Sequence, residues 1–114
     1  RDLEKGMEEG NERCRLALDI QYKRIADYIG SYYISLGGVD ALVFTAGIGE
    51  NSPRCRSEVI KRVKVLGIDI DEEANNVRGK KALISTPDSK IKVFLIPTNE
   101  ELVIARDTLR LISK

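Results

Sequence analysis

The sequence predicts a single α/β domain, and three observations carry that prediction. Short apolar runs at residues 40–45 and 91–96 alternate with longer stretches of helical spacing, as in units that place helices against a sheet. Both of these runs lead directly into a turn and a helix-start signal. The chain of 114 residues, 42% apolar and 32% charged, suits one hydrophobic core and leaves little room for two.

From residue 11 to residue 36, Leu18, Tyr22, Ile25, Ile29, Tyr32 and Leu36 recur at alternating intervals of four and three. That spacing places them along one face of a long helix. Gly37 and Gly38 end it, since glycine readily takes the left-handed conformation that closes a helix. Gly30, inside the pattern, costs about 1 kcal/mol relative to alanine and suggests close packing there. The tyrosines fit core or interface positions better than stacking platforms.

Residues 40–45 read as a strand buried on both faces. It runs into Ala46, Gly47, Ile48, Gly49, Glu50 and Asn51; Ser52 then suits an N-cap and Pro53 a first helical position. The helix that follows turns Val59, Ile60, Val63 and Leu66 inward and several of its lysines and arginines outward, stopping before Gly67. Residues 68–70 alternate as a short strand, and residues 71–81 form a polar loop or short helix. A strand at 82–86, closed by a turn at Pro87 and Asp88, precedes the buried strand at 91–96. A final helix opens after Pro97, with Leu102, Ala105, Leu109 and Ile112 on its inner side.

Composition narrows the chemistry. Nineteen basic and eighteen acidic residues leave a net charge of +1, which offers no bulk field for nucleic acid or an anionic membrane. The apolar runs are too short to span a bilayer, and the first residues lack a signal peptide's apolar stretch, so the expected location is cytoplasmic. Histidine is absent, which excludes an internal Ser-His-Asp or Cys-His unit. Cys14 and Cys55, far apart and without imidazole partners, are expected to be reduced thiols rather than zinc ligands.

Two loops concentrate the signal, because each joins the end of a buried strand to a capped helix start. Ligands of α/β sheets bind outside the carboxyl ends of strands, where glycine permits close approach and free N–H groups face outward. The first loop, Gly47 to Ser52, matches neither a Walker A sequence nor a dinucleotide fingerprint. By itself it is equally a tight turn or a phosphate-receiving corner, with Asn51 and Ser52 available as caps. In the second loop, Thr98 and Glu101 have the Thr-x-x-Glu spacing of a capping box, which gives Glu101 a structural task. Glu100 lies outside the box. Its carboxylate suits Mg²⁺ beside a nucleotide's phosphates, or else serves as a surface acid favoured by the helix dipole by about 0.3–1 kcal/mol.

The run from Phe44 to Ser52, followed by Arg56, resembles a signature of acetate kinases and the closely similar propionate kinases. The run from Pro97 to Leu102 is similar to the family's second landmark in this half. Further matches occur at residues 10–13, at Ala17 and Leu18, at residues 67–71 and at residues 85–88, so the resemblance covers essentially the whole chain. It implies the C-terminal half of an actin-like, sugar-kinase-like (ribonuclease H-like) ATPase fold, with residues 1–114 as one nucleotide-binding domain of a longer two-domain kinase. The implied reaction is reversible transfer of the ATP γ-phosphoryl group to acetate, giving acetyl phosphate and ADP, with Mg²⁺. By motif position, Gly47, Ile48, Gly49, Glu50 and Asn51 would line the nucleotide site, Arg1 would end a further nucleotide-contacting segment, and Glu100 would be the magnesium-associated acid.

No catalytic residue is assigned here. The family's acetate pocket, histidine and phosphoryl-stabilising arginines lie upstream, so this chain alone is expected to be inactive. Acetate and propionate are not separable from this half. The resemblance also implies a homodimer, and the long first helix with Tyr22, Tyr28, Tyr32 and Tyr33 offers a surface for it. A flavodoxin-like ligand domain is the rival from another class, but its phosphate-loop residues are not evident.

Overall fold

The computed structural model describes residues 2–97, without the side chains of Asp2, Leu3 and Ile48. Helix α1 (Asp2–Glu8) turns at Gly10, whose φ is +87°, and runs back as α2 (Glu12–Leu36). The Asn11 side chain accepts from the N–H groups of Arg13 and Cys14 and fixes where α2 starts. Gly37, at φ 72°, ends it. Gly6 lets the two helices touch: a Cβ added there would stand 2.5 Å from the Cys14 Sγ. Helix α1 was not foreseen from the sequence.

The sheet has the order β1-β3-β2, built from β1 (Ala41–Phe44), β2 (Ala82–Leu83) and β3 (Lys92–Leu95). β1 and β3 are parallel with Phe44 opposite Leu95, while β2 and β3 are antiparallel with Leu83 opposite Phe94. Between β1 and β2 come α3 (Gly47–Asn51), α4 (Pro53–Val63), a 3-10 turn at Lys64–Leu66 and α5 (Glu72–Asn75). Ser52 caps α4 by accepting from the Cys55 N–H at 3.0 Å, with Pro53 at its first position. The core forms where α2 and α4 meet the sheet: Leu18, Tyr22 and Ala26 pack with Val59, Ile60, Val63, Val93 and Leu95.

Several expectations need correction. Tyr32 and Leu36 are exposed by 62% and 72% rather than inward, because a 25-residue helix of roughly 37 Å outruns the core that covers its first half. Gly30 meets no atom within 4 Å at its Cβ position, so close packing within the described residues does not explain it. Among the described residues β1 is not buried on both faces: it stands at the edge of the sheet, and Val43 is 47% exposed. Residues 68–70 form no strand, only an isolated bridge from Ile70 to Ser85. Most consequentially, one arginine of α4 points inward, as described next.

Candidate functional site

β1 and β3 lie side by side and point the same way, so their carboxyl ends share one edge of the sheet. The Ile96 N–H donates to the Phe44 carbonyl at 3.0 Å, which ties the start of the second loop to the start of the first. An antiparallel pairing would have sent the two loops to opposite ends. Thr98, Glu100 and Glu101, together with the predicted final helix, lie outside the described residues, as does Arg1.

The first loop is more ordered than a turn. After Phe44 the backbone enters the left-handed region at Ala46 (φ 57°) and Gly47 (φ 47°), a reversal that only glycine makes freely. Residues Gly47–Asn51 then form α3. The Glu50 N–H donates to the Ala46 carbonyl at 3.2 Å, and Asn51 Nδ2 donates to the Gly47 carbonyl at 3.2 Å, so the Asn51 side chain braces the turn. Gly49 differs from Gly47. Its φ is not positive, and an added Cβ would rest 3.7 Å from Phe44, an ordinary contact. Nothing among the described residues obliges position 49 to be glycine.

Arg56 is the residue whose place the sequence left unassigned. It is fully buried and organises the loop from beneath. Its Nη1 donates to the carbonyls of Gly49 (2.9 Å) and Glu50 (3.1 Å). Its Nε donates to Asn75 Oδ1 at 2.8 Å, and Nη2 donates to the carbonyls of Asn75 (2.8 Å) and Val77 (2.5 Å). Burial works against the charged form and lowers the Arg56 pKa from its usual value, the nearby Cys55 opposing and Arg78 adding to that effect. The signal was present: Arg56, Val59, Ile60 and Val63 follow the i, i+3, i+4, i+7 stripe of an inner helix face, on which an arginine needs partners.

Three further residues were missed. Asn75, buried, donates through Nδ2 to the Pro53 carbonyl at 2.9 Å. Gly79, at φ 59°, donates its N–H to the Glu50 carbonyl at 3.2 Å and brings the segment of Arg78, Lys80 and Lys81 beside the loop. Glu4 accepts a short hydrogen bond from the Ser52 hydroxyl and links α1 to the start of α4. Beneath that link the Cys55 thiol is pushed up to about 11, mainly by burial and further by the Glu4 carboxylate. A cavity of about 520 Å³ bordered by Met7, Arg15, Tyr22 and Arg54, and an apolar groove of about 220 Å³ bordered by Ile29, Tyr33 and Leu36, lie elsewhere; residues 47–51 line neither.

Oxygen donors characterise the corner after β1, where the Thr45 hydroxyl, the Glu50 carboxylate and the Asn51 amide follow one another closely in the chain. No group of three or more His, Cys, Asp or Glu residues that could hold a metal occurs among the described residues. Oxygen donors of this kind suit Mg²⁺, which needs only one or two carboxylates when phosphates supply the rest, whereas zinc prefers thiolates and imidazoles.

Comparison with known proteins gives a consistent result. The family model described as the Acetokinase family matches residues 1–106. The chain is 65% identical over 111 residues to the acetate kinase of Aster yellows witches'-broom phytoplasma, covering 97% of this chain and 27% of that protein. It is 57% identical to the acetate kinase of Alkaliphilus metalliredigens, covering 98% and 28%. The crystal structure of Porphyromonas gingivalis acetate kinase superposes with a TM-score of 0.83 at 42% identity, covering 96% and 28%. A propionate kinase from Francisella tularensis gives 0.79 at 36% identity, covering 92% and 27%. The chain thus spans little more than a quarter of the length of the relatives it matches.

Proposed function

The chain belongs to the Acetokinase family and has its α/β, actin-like fold over the part that it spans, and from that premise we propose that it forms the nucleotide and magnesium side of an acetate kinase. The whole enzyme would move the γ-phosphoryl group of ATP reversibly to acetate, giving acetyl phosphate and ADP. Gly47, Ile48, Gly49, Glu50 and Asn51 would receive the nucleotide, Arg1 would end a further nucleotide-contacting segment, and Glu100 would hold the metal. The observation that supports this reading is the parallel pairing of β1 and β3, whose carboxyl ends, where the two loops start, share one edge. Gly49 supports it, since a glycine unneeded by its own surroundings suits the close approach of a ligand.

In that arrangement the reversal at Ala46 and Gly47 sets the loop backbone beside the nucleotide, and Asn51 keeps the loop from opening. Bound Mg²⁺ would offset charge on the phosphates. Phosphoryl transfer depends on positioning and charge stabilisation from several sides, so the 114-residue chain alone would bind nucleotide weakly and turn over nothing. Isothermal titration with ATP tests this, with and without magnesium. Binding should weaken in Glu100→Ala only when the metal is present; a metal-independent affinity unmoved by that substitution contradicts the role of Glu100.

Propionate in place of acetate is a second reading, favoured by the likeness to the Francisella tularensis propionate kinase. We further propose a cytoplasmic homodimer that uses the exposed apolar residues of α2, such as Tyr28, Tyr32 and Leu36. Sedimentation finding only monomer at high concentration would contradict the dimer.

A further inference from the structure

We infer that Arg56 is a positioning residue of the nucleotide site, holding the glycine corner in its helical form; the inference rests on the function proposed above. Helix α3 has only five residues and carries glycine at its first and third positions. A helix so short does not persist unaided, because nucleation is unfavourable and each glycine weakens it further. Its last carbonyls also need donors. The residue four places after Gly49 is Pro53, which has no N–H to give. Arg56 Nη1 fills that gap and reaches the Glu50 carbonyl as well.

The rest of the side chain is anchored to the opposite wall. All five guanidinium N–H donors are used, four on main-chain carbonyls and one on Asn75 Oδ1. Asn75 is held in turn by the Pro53 carbonyl. Arg56 therefore grips backbone conformation rather than a neighbouring charge, and none of its five acceptors is a carboxylate. Burying a guanidinium on such terms is costly, and a well-packed apolar side chain often serves stability as well or better. What the guanidinium supplies, and an apolar group cannot, is a fixed geometry for residues 49–50 and a positive charge beneath the corner that meets an anionic nucleotide. Lysine, with three donors and no planar fork, cannot reproduce the five contacts.

The experiment uses a chain of the relatives' full length, with ATP and the carboxylate varied separately and thermal unfolding recorded in parallel. In Arg56→Lys and Arg56→Gln the KM for ATP should rise roughly tenfold or more, while that for the carboxylate changes less than about twofold. Added methylguanidinium should lower the ATP KM of Arg56→Ala toward the parent value. Should the Arg56 variants fail to fold, Asn75→Ser keeps the charge and loosens its anchor; it should raise the ATP KM roughly three- to tenfold. A folded Arg56→Gln with the parent's ATP KM, or equal rises in both KM values, overturns the positioning role alone. A parent enzyme that does not turn over ATP overturns the proposed function and this inference with it.

Discussion

Two glycines of this chain should respond to alanine with opposite signs. Gly30 lies within α2, and an added Cβ meets nothing within 4 Å. Alanine there removes the excess backbone entropy of glycine and should stabilise the protein by about 0.5–1 kcal/mol. Gly67 ends the helical segment after α4 at φ 92°, where a Cβ would stand 2.8 Å from the Cδ of Lys90. The left-handed conformation alone costs an L-residue about 1–2 kcal/mol, and moving the lysine adds to that. Thermal unfolding followed by circular dichroism reads both, since 1 kcal/mol shifts the midpoint of a 60–100-residue domain by about 4–8 °C. Gly30→Ala should raise the midpoint and Gly67→Ala should lower it. A fall with Gly30→Ala would refute the reasoning and mean that α2 is closely covered at Gly30 in the whole protein.

Other outcomes follow from the same contacts. Ser52→Ala loses the cap on the Cys55 N–H and the link to Glu4, and should lower stability by about 1–2 kcal/mol in urea unfolding. The Cys55 thiol, raised from 9.0 to about 11 by burial, should react with iodoacetamide at pH 8 far more slowly than Cys14, which is less buried; comparable rates would show that α4 opens readily. Because the folded pKa lies above the unfolded one, the stability that Cys55 confers is present below pH 9 and is lost as pH rises toward 11. The urea midpoint should fall across that window, and Cys55→Ala should flatten the fall. Tyr22, raised to about 12 chiefly by burial, extends the loss to higher pH.

The ends of α2 and the start of α4 were legible because local chemistry sets them: Asn11, Gly37, Ser52 and Pro53 act on the backbone within a few residues. The buried run of β3 could be read, but β1's place at the sheet edge depends on strand order, which no local pattern encodes. Helix α1 escaped notice because its packing against Cys14, permitted by Gly6, is a tertiary contact rather than a repeat. The two-residue strand β2 is held mainly by its partner β3 and sends little signal of its own. In the first loop the turn at Gly47 could be read from its residue type, whereas Asn51, a candidate cap in the sequence, instead donates to the Gly47 carbonyl. The place of Arg56 could not be read from residue type, since charge on a helix usually marks a solvated face. Its place on the apolar stripe was the better guide, and its acceptors come from segments up to 21 residues away in sequence.

The shared edge formed by β1 and β3 is tested most directly by paramagnetic broadening with manganese-loaded ADP in a chain of the relatives' full length. Amide signals of Gly47, Gly49 and Asn51 should broaden together with that of Glu100, at comparable low metal-nucleotide concentrations. Broadening of one group without the other, or of residues around Leu83 instead, would contradict a single metal-nucleotide site at the ends of these strands.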